Sequence, residues 1–318
     1  HAWQNAGHTE KREFVCLAGS YHGETVGALS VTDIPLFSEA YAPLIRNEHV
    51  HLAPSPDARL AQPGETAIDV ANRAADALEA LFIERDGKIA AIIVEPLVQC
   101  ATGMAMHDPQ YLKRVRALCH QHQVHLICDE IAVGFGRTGS FFSFESSGIK
   151  PDIITLSKSL SGFGLPLSVV LLNPALDRWL PGEHNGTFRG NNHAFITATA
   201  ALELYWRDQH FVQEIAQKSH IVQQQLKVML DAYQPLALRL KGRGLMQGIE
   251  CANGAIADSV CRNAFERGLV IETAGNQGQV VKVFCPLTIS EEDLRKGLQV
   301  LTLSFAATMT EYAARKTA

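Results

Sequence analysis

Val124-His125-Leu126-Ile127-Cys128-Asp129 and Ile153-Ile154-Thr155-Leu156-Ser157-Lys158 are two short apolar runs, each followed by a charged residue. Apolar residues at consecutive positions fit strands buried on both faces. Working outward, Glu13 to Ala18 and Lys88 to Val94 read the same way. Helical patterns lie between the strands. Ile68, Ala71, Ala75, Leu78 and Phe82 recur at helical spacing after Pro63-Gly64, and Gly87 stops the run. Asp108-Pro109 opens a second helix, with Leu112, Val115 and Cys119 on one face. Strands alternating with amphipathic helices predict an α/β fold with a mostly parallel sheet flanked by helices.

Helical patterning dominates from His193 to about Tyr233. Leu238 to Glu250 and Val280 to Phe284 read as strands around a helix from Ala255 to Arg267, a smaller α+β unit. The chain is therefore expected to divide into a large domain, residues 1–210, and a C-terminal small domain, residues 211–318. The 318 residues, 47% of them hydrophobic, suffice for both cores. The net charge of −5 argues against nucleic acid as a partner. No apolar run nears the roughly 18 residues that span a bilayer, which argues against a membrane. The seven cysteines are odd in number and form no CxxC pair, as expected of reduced thiols in a cytoplasmic protein. His1-Ala2-Trp3-Gln4-Asn5 reads as the end of a helix, so an N-terminal segment is expected to be absent.

Asp129 and Lys158 stand where two strands run out, and open α/β sheets bind ligands at the carboxyl ends of their strands. Taken singly, Asp129 reads either as a partner for a positive ligand group or as a structural loop aspartate. Lys158 reads either as a desolvated nucleophilic amine or as a surface lysine. The pair says more. Pyridoxal phosphate needs a lysine for its aldehyde and an acid for its pyridine nitrogen. Gly134-Phe135-Gly136-Arg137-Thr138-Gly139 fits the dinucleotide pattern G-x-G-x-x-G, but Ser140-Phe141-Phe142-Ser143 after it has no helical start. An NAD-linked oxidoreductase is the competing class that this motif would carry. His120, His122 and His125 have no spacing or companion ligand that suits a metal, so none is expected.

Beyond these residues the chain resembles the class III aminotransferases, fold-type I pyridoxal-phosphate enzymes. The resemblance rests on Tyr21-His22-Gly23, Glu95-Pro96, Asp129-Glu130-Ile131, Gly136-Arg137-Thr138-Gly139, Leu156-Ser157-Lys158 and Gly186-Thr187-Phe188, in that order. It implies that Lys158 is the Schiff-base lysine and proton shuttle and that Asp129 pairs with the pyridine nitrogen. It places Tyr21 on one ring face, within the Tyr21-His22-Gly23 loop, and Ile131 on the other. Glu95 would support the pocket, and Gln99 would reach the ring hydroxyl. Thr187 would give its hydroxyl to the cofactor phosphate of a neighbouring subunit, which implies a homodimer with shared active sites. Arg137 would bind a substrate carboxylate or serve structurally. The family's phosphate-binding turn is expected to lie before residue 1.

Up to about Glu145 the chain is most similar to the biotin-pathway enzymes that aminate 8-amino-7-oxononanoate from S-adenosylmethionine. The run Glu95 to Met104 and the acid Glu24, a candidate substrate contact, carry this likeness. Beyond Glu145 it resembles L-2,4-diaminobutyrate:2-oxoglutarate aminotransferases, through Pro181 to Asn192 and Val270-Ile271-Glu272-Thr273. No arginine occurs in Ile271 to Gly275, where the biotin enzymes place one, so the diaminobutyrate type is preferred. An amino donor and a keto acceptor are the expected small-molecule partners. A truncated homologue without turnover is the alternative of another class.

Overall fold

The computed structural model describes residues 1–161, 164–187 and 189–317, the last three of these (315–317) by backbone alone. One of the motif residues above, Phe188, lies outside the described set. The chain divides into two compact units. The first comprises His1–Cys100, Ala105–Phe135 and Ser140–Asp208. The second comprises Ala101–Met104, Gly136–Gly139 and Gln209–Ala318.

The first unit holds a six-stranded sheet. Its strands are β1 (Glu13–Leu17), β2 (Val50–Ala53), β3 (Ile89–Val94), β4 (His125–Asp129), β5 (Ile153–Leu156) and β6 (Val169–Leu172). They lie in the order β2-β1-β3-β4-β5-β6. All neighbouring pairs are parallel except β5 and β6. Strands β2 and β6 are absent from the pattern reading. Leu52 and Val170 face solvent at these sheet edges; the run of β2 is broken by His51, and that of β6, although wholly apolar, is only four residues long.

Helices α1 (Ala67–Glu84) and α2 (Pro109–Gln121) share one core with the sheet. Val70, Ala71, Ala74, Ala75, Leu78 and Phe82 form the buried stripe of α1, whereas Ile68, expected on that stripe, is exposed. Ile68 sits in the first turn, where the helix begins beyond the core. Thr66 caps this helix: its Oγ1 accepts from the amide of Asp69, and Asp69 Oδ2 accepts from the amide of Thr66. Such a reciprocal box satisfies two amides that the first turn leaves unpaired. Thr66→Ala is expected to lower stability by about 1 kcal/mol, read from the midpoint of urea unfolding at unchanged slope.

Helical patterning around residue 205 resolves into α3 (Asn192–Tyr205) and α4 (His210–Ala232). In the second unit, the stretch Leu238 to Glu250 is not one strand. It folds into a hairpin of β7 (Arg239–Arg243) and β8 (Met246–Glu250). Gly244 in its turn has a φ of +58°, and a Cβ there would meet the Arg137 carbonyl at 2.5 Å. The strands β9 (Glu272–Ala274) and β10 (Val280–Val283) complete an antiparallel sheet in the order β9-β10-β8-β7. Helices α5 (Gly254–Phe265) and α6 (Glu291–Thr317) pack against each other in this unit. The pattern reading gives α6 no place, although Leu294, Leu298, Leu301 and Phe305 form a buried stripe at helical spacing.

Candidate active site

Strands β4 and β5 are parallel neighbours, and Asp129 stands opposite Thr155 in their register. Residues paired in this way present their side chains to the same face. Lys158 follows β5 directly, at the start of a single 3₁₀ turn, Lys158–Ser161. Leu156 and Leu160 on either side of it are buried together with Phe135 and Ala198. That cluster anchors the strand end and leaves the lysine itself exposed. Lys158 adopts a φ of +47°, a left-handed conformation uncommon outside glycine. The two candidate catalytic residues thus leave adjacent strands of one sheet at their carboxyl ends.

Asp129 is buried and its two oxygens are separately held. Oδ1 accepts from the Ile131 amide at 3.0 Å, and Oδ2 lies 2.7 Å from Nδ1 of His22. A carboxylate offers about four lone-pair directions. It therefore keeps acceptor capacity for a further donor. The neighbouring Tyr21 gives its amide to Glu95 Oε1, and Glu95 Oε2 accepts from the Cys100 amide. Glu95 in this way ties the Tyr21-His22-Gly23 loop to the turn after β3. Burial pushes its carboxyl up to about 7, against the opposing pull of His22 and the two amides.

A raised carboxyl has a definite consequence for stability. Between about pH 4.5 and 7 the folded chain holds a proton on Glu95 that the unfolded chain has released, so stability falls as pH rises through that window. The shift corresponds to roughly 3 kcal/mol. Glu130, pushed up to about 8 by burial, adds a slope of the same sign. Glu95→Gln is expected to flatten the pH dependence of urea unfolding between pH 5 and 7 and leave the share due to Glu130.

The remaining expected site residues fall into three groups. In the loop after β1, the Tyr21 hydroxyl donates to Glu24 Oε1 at 2.9 Å and its ring lies 4.7 Å from that of Phe37. Burial pushes the Tyr21 hydroxyl up to about 12. Glu24 is exposed, and Gly23 holds a φ of +115°. The Gln99 amide is engaged at both ends within the first unit: Nε2 donates to the Ala18 carbonyl and Oε1 accepts from Ser55 Oγ. Thr187 is exposed in the segment between β6 and α3. Arg137 belongs to the second unit, where Nη1 donates to the carbonyls of Leu245 and Cys285 and the guanidinium lies 4.6 Å over the Phe284 ring.

Two features escape the pattern reading. Glu130 is fully buried, and its carboxylate accepts the amides of Ser143 and Phe144. Its amide donates to Thr155, which locks β4 to β5 beside Asp129. The Asp129-Glu130 dipeptide at a strand end was its only signal in the sequence. Second, Nε2 of His22 and Oγ1 of Thr155 are buried without a partner among the described residues. Residues Gly134 to Gly139 form turns and open no helix. Of the three histidines, His125 stacks on Trp3 and His122 packs against Phe82. Among the described residues no group of His, Cys, Asp and Glu is arranged to hold a metal.

The site and sheet define an α/β transferase fold of the fold-type I class. The model for aminotransferase class-III matches residues 1–305, and the chain belongs to that family. A diaminobutyrate--2-oxoglutarate transaminase of Vibrio cholerae is 46% identical over 297 residues, covering 92% of this chain and 69% of that protein. The corresponding protein of Vibrio parahaemolyticus is 51% identical over 213 residues, covering 67% of this chain but 50% of its own length. The omega transaminase of Pseudomonas jessenii, solved in complex with PMP, superposes with a TM-score of 0.88 at 26% identity over 97% of this chain and 71% of that one.

Proposed function

We propose that the protein is a pyridoxal-phosphate-dependent aminotransferase of the L-2,4-diaminobutyrate:2-oxoglutarate type. The observation that carries the chemistry is the placement of Asp129 and Lys158 at the ends of adjacent parallel strands. The substrate choice is supported by the diaminobutyrate transaminases among the relatives, one of which aligns over 92% of the chain. That alignment reaches well into the N-terminal part, where the biotin-pathway likeness was expected, so the pair S-adenosylmethionine and 8-amino-7-oxononanoate is not favoured.

The residues present suit the ring end of the cofactor. Asp129 has spare acceptor capacity in a buried place, and the unpartnered Thr155 hydroxyl and His22 nitrogen leave polar atoms for a polar ligand. When bound, pyridoxal phosphate supplies an aldehyde that captures amines and a ring that takes up electrons from the carbon being deprotonated. Asp129 would hold the protonated ring nitrogen. Lys158 would bind the aldehyde at rest and, once displaced by substrate, carry the proton between substrate carbon and cofactor through its free amine. Tyr21 and Ile131 would flank the ring, and Glu95 would keep the Tyr21 loop in place. Glu24 is the candidate for the amine end of the substrate.

Assembly as a homodimer, with Thr187 reaching the partner's cofactor phosphate, belongs to the same proposal. It is supported by α3, where Phe195, Ile196 and Leu204 are exposed. A cytoplasmic location is proposed from the seven free thiols. No described helix is long and apolar enough to cross a membrane.

The assay offers the chain L-2,4-diaminobutyrate with 2-oxoglutarate and, separately, S-adenosylmethionine with 8-amino-7-oxononanoate, each with pyridoxal phosphate. Glutamate formation from the first pair is expected. Turnover of the second pair alone would reverse the substrate choice, and turnover of neither would favour a non-catalytic homologue.

A further inference from the structure

Thr187 stands in an exposed segment, and a hydroxyl there serves a ligand only if the backbone beneath it is held. Both ends of the segment are pinned. At the entrance, Glu183 Oε2 accepts from the Leu180 amide at 2.7 Å and from Asn5 Nδ2 at 2.6 Å. At the exit, Gly190 turns with a φ of +84°, and Asn191 Oδ1 caps α3 by accepting from the His193 amide at 3.0 Å.

The interval between these anchors is closed by Arg189. Its amide donates to the Gly186 carbonyl at 3.1 Å, which makes a turn with Thr187 inside it. Its side chain then runs back over Gly186: a Cβ on that glycine would stand 2.7 Å from Nε and 2.9 Å from Cγ of Arg189. Gly186 lies outside the left-handed region, so its want of a side chain serves this close approach and not the backbone. The guanidinium Nη1 ends 2.7 Å from Nε2 and 2.9 Å from Nδ1 of His184. In a neutral imidazole one of the two nitrogens is an acceptor, so the guanidinium meets a partner in either tautomer. His184 is itself backed by Trp179, with ring centroids 4.7 Å apart and planes at 26°. Trp179, His184 and Arg189 together brace the turn that carries Thr187.

We propose that Arg189 is a positioning residue: by folding over Gly186 onto His184 it holds the Thr187 hydroxyl in the place from which it meets the cofactor phosphate of the neighbouring subunit. The proposal rests on the dimer and cofactor reading above and goes beyond it, because Arg189 acts through Thr187 and not on the phosphate itself.

The test compares pyridoxal phosphate with pyridoxal, which lacks the phosphate, each titrated against the full chain by absorbance. Arg189→Ala is expected to weaken pyridoxal phosphate about tenfold, as for loss of a hydrogen bond to a charged group, and to leave pyridoxal within about twofold. Thr187→Val is expected to do the same. The double variant should bind no more weakly than Thr187→Val alone, since Arg189 then has nothing to position. Gly186→Ala puts a Cβ where the Arg189 side chain lies, and is expected to reproduce Arg189→Ala and add nothing to it. Losses that multiply in the double variant would put Arg189 on the phosphate directly and overturn the proposal. Equal weakening of both ligands would mark general damage to the segment and overturn it too. A phosphate preference that Thr187→Val removes and Arg189→Ala keeps would sink the proposal while the reading of Thr187 stands. If the unaltered chain prefers neither ligand, or Thr187→Val keeps the preference, the reading of Thr187 itself falls and takes the proposal with it.

Discussion

Lys158→Ala is expected to lower transamination by at least about 10⁴-fold, because one side chain supplies both the amine that holds the aldehyde and the group that moves the proton. The fold should barely notice. Lys158 is exposed, and the burial that anchors this turn belongs to Leu156 and Leu160. Its left-handed φ of +47° has a small cost for any non-glycine residue, and alanine carries the same one. Unfolding midpoints of the two proteins should therefore agree within about 0.5 kcal/mol, the ordinary range for surface changes. A kcat lowered by less than tenfold, in protein of equal stability, would show that the lysine is not the reacting amine.

Asp129→Asn comes second in expected size, about 10²–10³-fold in kcat, the range found when one fixed electrostatic partner is removed from a reacting centre. This substitution isolates charge from shape. Asn keeps an oxygen for the Ile131 amide, which Asp129 Oδ1 now accepts. It turns an NH₂ toward His22 Nδ1, which accepts only with the ring proton on Nε2, a buried atom without an acceptor among the described residues, so a modest loss of stability is expected. The variant should fold. Its defect should be larger in kcat than in KM if the carboxylate acts on the developing charge and not on uniform binding. An unchanged kcat would remove Asp129 from the chemistry.

The central strands were legible because their physics is local. Val124–Cys128 and Lys88–Val94 are apolar at nearly every position, which is what a strand covered on both faces requires. The order in which strands pair is not local, yet Asp129 and Lys158 were still placed together, because successive strands of α/β sheets are usually neighbours. What failed to show were edges and turns. Val50–Ala53 is interrupted by His51, and Val169–Leu172, although wholly apolar, is only four residues long and partly exposed, so neither stands out from its surroundings as the central strands do. The hairpin at Gly244 hides inside what reads as one strand, because the feature that bends it is a positive φ and the close approach of the Arg137 carbonyl.

The site divided along the same line. The lysine and the aspartate at strand ends could be singled out as candidates, because each stands where an apolar run stops. Partnerships that depend on the fold could not. Nothing in the spacing of His22 and Asp129 predicts a 2.7 Å contact across two strands' loops, and nothing in Glu130 predicts that it holds two amides of a turn. Gln99 makes the same point from the other side: its residue type suits a cofactor contact, but the fold engages both ends of its amide.

The most direct measurement is to incubate the chain with pyridoxal phosphate, reduce with borohydride, digest, and locate the phosphopyridoxyl group by mass spectrometry. If Asp129 and Lys158 gather one cofactor between them, the label sits on the peptide containing Lys158 and falls sharply in Asp129→Ala. Label spread over many lysines, or concentrated on another lysine and indifferent to Asp129, would contradict the assignment.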